Sequence, residues 1–331
     1  MEVSIKFKGD KFSRLAIMKV GNKELATPAY FPAISSLQHY DVKYLFDFLI
    51  ENKYGKMLLS LFDINKDERF HEDKFLGEVS EYSRTGNFVM IDSGVFESFW
   101  KNDKTWTFKE YSDTIPKIDA DFYATFDFSP NLLPKDTDLY NELMKGIKQS
   151  LTVITYGVPL EIIHGRTPDE LISNVVKYAL TVEDYQSQII AIPERECGAS
   201  IIERGKNIMH ITQKLRDISE KFLLHILGCG NPISMSLYVY CGADTFDSID
   251  WTSNIFEKNE NKIFDLSQLD LIGCNCNACS AKGETYNHRA LLHNLLFYQD
   301  HLEKLQNMIK ERTLKDYVQV YLGTKLFKEL E

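Results

Sequence analysis

The sequence predicts a (β/α)8 barrel of the TIM type, with an N-terminal β-hairpin and a C-terminal zinc-binding helical subdomain. Three observations predict it. Short apolar, β-rich runs alternate with amphipathic stretches of helical length, and alternation of this kind implies parallel βαβ units. Eight such runs fall between Tyr30 and Ile249, a span that fits the roughly 250 residues typical of such barrels. Nearly every run ends in a polar residue or glycine, where barrel enzymes carry their chemistry.

The elements follow in order. Val3–Phe7 and Arg14–Val20 flank the mostly polar Lys8–Ser13 and read as a hairpin within residues 1–26, a lid on the barrel floor. The strands of the barrel, residues 27–257, are Tyr30–Ala33, Met57–Asp63, Phe88–Ile91, Phe122–Phe126, Leu160–Ile163, Ile189–Ile192, Phe222–Leu227 and Thr245–Ile249. Between them, Leu37–Glu51, Asp138–Leu151, Pro168–Leu180, Ile201–Phe222 and Ile233–Cys241 have helical periodicity. Thr167-Pro168-Asp169-Glu170 and Asn231-Pro232 are helix starts, with proline in the first turn. Lys258–Lys262 is a polar connection into residues 258–331, a cysteine-rich segment and helices that close the barrel. Periodicity does not decide closure, so a doubly wound open sheet is the rival architecture. A Rossmann oxidoreductase is excluded sooner, because no G-x-G-x-x-G follows the first strand.

Composition bounds the function. The 331 residues are 44% hydrophobic and 26% charged, average for a globular chain. No apolar run reaches the roughly 18 residues of a membrane span, and Met1–Lys6 lacks a signal-peptide core, so a soluble cytoplasmic protein is expected. A net charge of −10 argues against a broadly basic nucleic-acid binder but leaves room for a local strip. Lys282, His288, Arg289, Lys304, Lys310, Arg312 and Lys315 are candidates for one, interleaved with Glu284, Glu303 and Glu311.

The strand ends supply the candidate site: Asp92-Ser93-Gly94, Asp127, His164-Gly165-Arg166, Glu194, Gly228-Cys229-Gly230 and Asp247-Ser248. Taken singly, Asp and Gly at strand ends are ordinary turn formers; in register these residues read as an enzyme mouth. Of the six cysteines, Cys274, Cys276 and Cys279 form a C-x-C-x-x-C turn, followed by His288, His293 and His301. Three thiols and one imidazole make a closed structural Zn2+ set, with no open position for catalysis.

These motifs resemble the tRNA-guanine transglycosylase superfamily. Thr27-Pro28-Ala29-Tyr30-Phe31-Pro32-Ala33 is similar to its first-strand motif, and Asp92-Ser93-Gly94-Val95-Phe96-Glu97 to its aspartate-serine-glycine-glycine-aromatic-glutamine motif. Leu227-Gly228-Cys229-Gly230-Asn231-Pro232 and Gly242-Ala243-Asp244-Thr245-Phe246-Asp247 resemble its strand-seven loop and nucleophile strand. The resemblance implies a (β/α)8 fold with a zinc subdomain and exchange of guanine for a 7-deazaguanine such as preQ0, the 7-cyano base. It makes Asp247 the nucleophile and Asp92 the general acid/base. It places Ser93, Asp127, His164, Glu194 and Gly228 at the base, with His164 where the tRNA enzymes carry glutamine. Glu194 then either reads the base or pairs with Arg195 or Arg166. His293 becomes the fourth zinc ligand by motif, with His288 and His301 still open.

Departures direct the choice of polynucleotide. The tRNA enzymes follow the nucleophile strand with a Pro-Thr-Arg stretch, whereas this chain reads Asp250-Trp251-Thr252-Ser253-Asn254, without arginine. Ile192–Gly198, His164-Gly165-Arg166 and Phe246–Trp251 look more like the branch that modifies DNA, whose members protect bacterial and phage genomes from restriction. DNA is therefore the expected substrate, with tRNA the alternative and a non-catalytic subunit behind both. Duplex DNA would have to be unstacked, by this chain or a partner protein. Phe96, Phe99, Trp100 and Trp251 are candidates to stack on bases. Oligomeric state, homo-oligomer or not, is not set by these residues.

Overall fold

In strands that bury both faces, alternate residues go to different cores, and here one set fills a barrel while the other meets helices. The computed structural model describes residues 1–67, 73–128, 130, 133–182, 188–258 and 262–331. β1 (Glu2–Lys8), β2 (Arg14–Val20) and β3 (Lys23–Ala26) form an antiparallel sheet in that order. The expected hairpin thus gains a third strand, because the Gly21 turn at φ +59° sends the chain back along β2.

The barrel strands are β4 (Ala29–Ile34), β5 (Lys56–Ser60), β6 (Phe88–Asp92), β7 (Phe122–Ala124), β8 (Val158–Ile162), β9 (Gln188–Pro193), β10 (Phe222–Leu227) and β11 (Thr245–Ser248). All pair in parallel, and β11 returns to β4 through Thr245↔Ala29 to Ser248↔Pro32. Closure removes the open-sheet rival. Leu58, Met90, Leu160, Ala191 and Leu223 point inward and pack with Ala16, Met18, Val20 and Leu25 of the small sheet. That sheet is the floor. Leu59, Ile91, Ile192 and Ile226 belong to the other core, beneath the helices.

Seven helices follow their strands within the described residues: Val42–Glu51, Asp73–Arg84, Phe108–Thr114, Leu139–Val153, Pro168–Thr181, Ile201–Ile218 and Pro232–Cys241. Asp41, Thr107, Asp138, Thr167, Ser200 and Asn231 cap six of them through side-chain oxygens. Asp73–Arg84 and Phe108–Thr114 were not among the helices read from periodicity. The second strand also ends earlier than expected: from Leu61 the chain turns into the short helix Leu61–Lys66, burying Asp63 where it accepts the Ser36 N–H at 2.7 Å. After β11 the chain forms a small hairpin, β12 (Asn254–Phe256) with β13 (Ile263–Asp265). Residues 259–261 of the expected polar connection lie outside the described set. The 26-residue helix Tyr286–Glu311 then takes the eighth position, its Tyr298 stacked on Tyr30 at 4.0 Å and donating to the Gly230 carbonyl at 2.7 Å. No helix among the described residues is long and apolar enough to cross a membrane.

One buried ion pair ties floor to barrel. Arg14 reaches Asp244 with Nε–Oδ1 and Nη2–Oδ2 distances of 2.8 Å, and its fork also serves the Glu220 and Phe222 carbonyls. Removing one partner of such a pair strands the other charge, at about 3–5 kcal/mol. Arg14→Ala is therefore expected to lower unfolding free energy by about that amount in urea titrations; a loss under about 1 kcal/mol, the worth of a surface pair, would contradict this.

Candidate active site and zinc site

The carboxyl ends of the strands converge on a cavity of about 290 Å³. Asp92, Ser93, Asp127, His164, Glu194, Gly228 and Asp247, the seven residues proposed for it from sequence, all line it. Glu97, Asp250, Phe96, Phe99 and Arg195 join them. Gly94 makes the turn after β6 possible: its φ is +77°, and a Cβ there would meet the Phe62 nitrogen at 2.5 Å.

Asp247 is buried and held from one side. Its Oδ1 lies 3.0 Å from His225 Nε2 and accepts the Gly228 N–H at 3.2 Å. Oδ2 has no hydrogen bond among the described residues. His225, fully buried on β10, is positioned by Thr245 Oγ1 at 2.9 Å. Opposite in character is Asp92, which among the described residues accepts only the Gly94 N–H, at 3.0 Å. Burial, then Glu97, Asp127 and Asp247, push its carboxyl well above the usual range. Glu97, itself raised to about 7 by burial and Asp63, accepts from Ser35 Oγ at 2.7 Å. The site therefore holds one carboxylate fixed by donors and one carboxyl whose surroundings favour the protonated form.

A second network runs along the neighbouring strands. Ser93 Oγ donates to Asp127 Oδ1 at 2.6 Å, and Asp127 Oδ2 lies 2.9 Å from His164 Nε2. His164 Nδ1 meets Glu196 Oε1 at 2.8 Å, and Glu196 Oε2 accepts the Gly165 N–H at 3.0 Å. Burial alone would lower the His164 pKa, but Glu196 and Asp127 outweigh it and raise it to about 10. His164 is thus an imidazolium with both nitrogens committed to carboxylates. Asp127 keeps lone pairs for further donors.

Glu194 is held by neither cation named from sequence. Its Oε1 accepts from Arg204 Nη1 at 3.0 Å and Tyr238 OH at 2.9 Å. Glu194–Cys197 is a 3-10 turn, in which consecutive side chains diverge. Arg195 therefore lies over the Phe96 ring at 5.3 Å, while Arg166 is engaged by Glu170 and the Pro134 and Thr137 carbonyls. Trp251 is also corrected. It has 0% exposure and donates its indole N–H to the Ala33 carbonyl, so it is core and cannot stack on a base.

Sequence reasoning missed His225 and Glu196. The signal for His225 was available: Leu223, His225 and Leu227 share the inward face of an apolar strand beside the one carrying Asp247. Glu196 carried no such signal, because its role depends on how the 3-10 turn aims it.

Outside the barrel, one ligand atom from each of Cys274, Cys276, Cys279 and His293 lies within 4.8 Å of the others. His293 Nδ1 is 3.5 Å from Cys276 Sγ and 3.4 Å from Cys279 Sγ. Tetrahedral zinc, with Zn–S near 2.3 Å and Zn–N near 2.0 Å, spaces sulfur and nitrogen by about 3.5 Å. His293 Nε2 lies 2.9 Å from the Phe256 carbonyl, which fixes the ring with Nδ1 toward the thiols. The four residues form a cluster that fits structural zinc. His288 instead faces Glu284 at 3.3 Å, and His301 lies 3.2 Å from both Ser236 Oγ and the Pro232 carbonyl, which closes the choice of fourth ligand. Cys276→Ala is expected to abolish zinc retention and lower the melting temperature; full zinc content by elemental analysis would contradict the assignment. Much of the basic strip nearby is engaged within the molecule. Arg289 bonds the Cys279 carbonyl, Lys304 sits over the Tyr317 ring and Lys315 faces Glu331.

No family model matches the chain. It is 21% identical to the tRNA-guanine(15) transglycosylase of Sulfolobus acidocaldarius, over 94% of this chain and 64% of that protein. It is 23% identical to the queuine tRNA-ribosyltransferase of Helicobacter pylori, over 95% of this chain and 96% of the relative. A shorter stretch is 31% identical to the Nanoarchaeum equitans tRNA-guanine(15) transglycosylase, covering 35% of this chain and 31% of that one. The chain is similar to guanine transglycosylases over nearly its whole length. It spans under two thirds of the length of these archaeal relatives. Their similarity supports the superfamily read from the motifs, and their names specify tRNA.

Proposed function

We propose that this chain is a guanine transglycosylase, a pentosyltransferase that exchanges guanine in a polynucleotide for a 7-deazaguanine base. The observation that carries the reading is the pair of unlike carboxylates in one cavity, Asp247 held by donors and Asp92 kept in a setting that favours its proton. In the first half, Asp247 Oδ2 attacks C1′, the C1′–N9 bond breaks, and its electron pair leaves with guanine as Asp92 delivers a proton. In the second, Asp92 takes the N9 proton of the incoming base, N9 attacks C1′, and Asp247 is released. A covalent glycosyl-aspartate links the halves, as in retaining glycoside hydrolysis. Ser93 and Asp127 accept from the N1–H and N2–H₂ edge of the base, with His164 and Glu196 fixing Asp127 from behind. Cys274, Cys276, Cys279 and His293 would hold zinc away from these steps, where it would pin the cysteine turn against the Tyr286–Glu311 helix.

For the polynucleotide, tRNA is the reading that the relatives' names support. DNA is the second reading, favoured by the Asp250–Asn254 stretch without arginine, since phosphate-gripping cations supply much of nucleic-acid affinity. Incubating the protein with tRNA, single-stranded DNA and duplex DNA in turn, then denaturing and weighing it by mass spectrometry, tests both. An adduct with one polynucleotide that is lost in Asp247→Asn supports the reading and names the substrate. Adducts with none of them would contradict it.

A further inference from the structure

The helix that follows Asp92 carries aromatic surface that the catalytic reading does not use. Val95–Trp100 begins at Gly94, and Phe96, Phe99 and Trp100 fall at i, i+3 and i+4, on one side of it. Phe96 and Phe99 line the cavity. Trp100 meets Phe96 at 6.2 Å and Phe99 at 5.5 Å, both edge to face, and continues the aromatic surface outward from the mouth. Phe96 is 42% exposed and Trp100 59%.

The other two tryptophans behave differently. Trp106 and Trp251 are buried, and each donates its indole N–H to a backbone carbonyl, of Ser93 and Ala33. Trp100 has neither cover nor an indole hydrogen bond among the described residues. A contiguous exposed apolar surface beside a ligand cavity, here formed by Phe96, Phe99 and Trp100, marks an interaction site, whereas singly scattered exposed side chains do not. The guanidinium of Arg195 over the Phe96 ring adds a cation to the same rim. Aromatic rings with an adjacent arginine form the sequence-tolerant stacking platforms of single-strand binding sites, because every base offers a π-face.

We propose that Trp100, backed by Phe96 and Phe99, is a stacking ledge for an unpaired nucleobase next to the nucleotide whose base enters the cavity. The inference rests on the reading of the cavity as a nucleotide-base site. A nucleotide turned into the cavity leaves its neighbour without a stacking partner, and the ledge supplies one. This lowers the cost of extrusion, which is a few kcal/mol for a paired base. The ledge contributes to binding of the strand and takes no part in the chemistry.

The test uses the tryptophan itself. Titrating the full chain with oligo(dT) and, separately, oligo(U) is expected to quench its fluorescence, because the exposed Trp100 is the one a base can reach directly. Trp100→Ala is expected to abolish that quench and weaken binding about 5- to 150-fold, the loss of one stacked base. Trp100→Phe, which keeps an aromatic face, should bind within about threefold of wild type. Binding by Trp100→Ala equal to wild type would overturn the ledge, as would saturation without quenching or binding of neither oligonucleotide. So would a dimer in sedimentation that dissociates on Trp100→Ala, which would make this face a contact between copies. Base exchange measured alongside separates the two claims. Quenching without exchange leaves the ledge standing and the transglycosylase reading failed; exchange with an unaffected Trp100→Ala does the reverse.

Discussion

Asp247→Asn is expected to lower base exchange by on the order of 10⁴-fold or more, the scale seen when a covalent nucleophile is removed. The substitution is nearly isosteric. Its side-chain oxygen can keep the bonds now made to Oδ1 by His225 and the Gly228 N–H, so the fold and the cavity should survive. What it removes is the oxygen proposed to bond C1′, and with it the proposed covalent intermediate. His225→Ala should cost roughly 10²-fold, mostly in kcat, because it leaves the nucleophile in place but loosely aimed. A full-rate Asp247→Asn would remove the nucleophile assignment. A His225→Ala whose loss lay wholly in KM would make that histidine a binding residue instead.

The second large effect is on stability, through His164. Its pKa of about 10 in the folded protein stands above the 6.5 of the unfolded chain. The folded state therefore binds the proton more tightly, and the associated stability is complete below pH 6.5 and lost as pH rises through 10. The rise corresponds to about 5 kcal/mol. His164→Gln should be several kcal/mol less stable than wild type at pH 6, since Asp127 and Glu196 lose the cation between them. The two proteins should converge as the pH approaches 10. Glu161, raised to about 8 by burial, pulls stability the same way with pH. It is present in both proteins, so the difference between their urea curves isolates His164. Parallel curves at pH 6 and pH 9.5 would show that His164 does not titrate in this range.

How much of this was legible from the sequence depended on the range of the interaction. Strands announced themselves because β-rich runs bounded by turn residues are local; their polar endings contained the seven cavity residues, and the resemblance to the family singled those seven out. The zinc cluster was legible for the same reason on the thiol side, C-x-C-x-x-C being a local pattern. The fourth ligand, His293, came from the resemblance to the family's motif; spacing alone left His288 and His301 open, because the choice depends on the rotation of the Tyr286–Glu311 helix and on the Phe256 carbonyl behind the ring. Closure of the barrel, the Arg14–Asp244 tie and the pairing of Glu194 with Arg204 all join residues distant in sequence or set by turn geometry. Trp251 misled because its place in the chain, just past Asp247, suggested the mouth. The short 3-10 turn Asp250–Thr252 instead directs it into the core.

The transglycosylase reading stands or falls on base exchange, which radiolabelled guanine reports without a coupled step. Zinc-loaded protein would be incubated with labelled guanine and bulk tRNA, single-stranded DNA or duplex DNA, and the polymer then precipitated and counted. Label entering one polymer, and leaving it again when unlabelled 7-cyano- or 7-aminomethyl-7-deazaguanine is added, is the predicted result. No label in any polymer, from protein shown to be folded and to bind that polymer, would contradict the account.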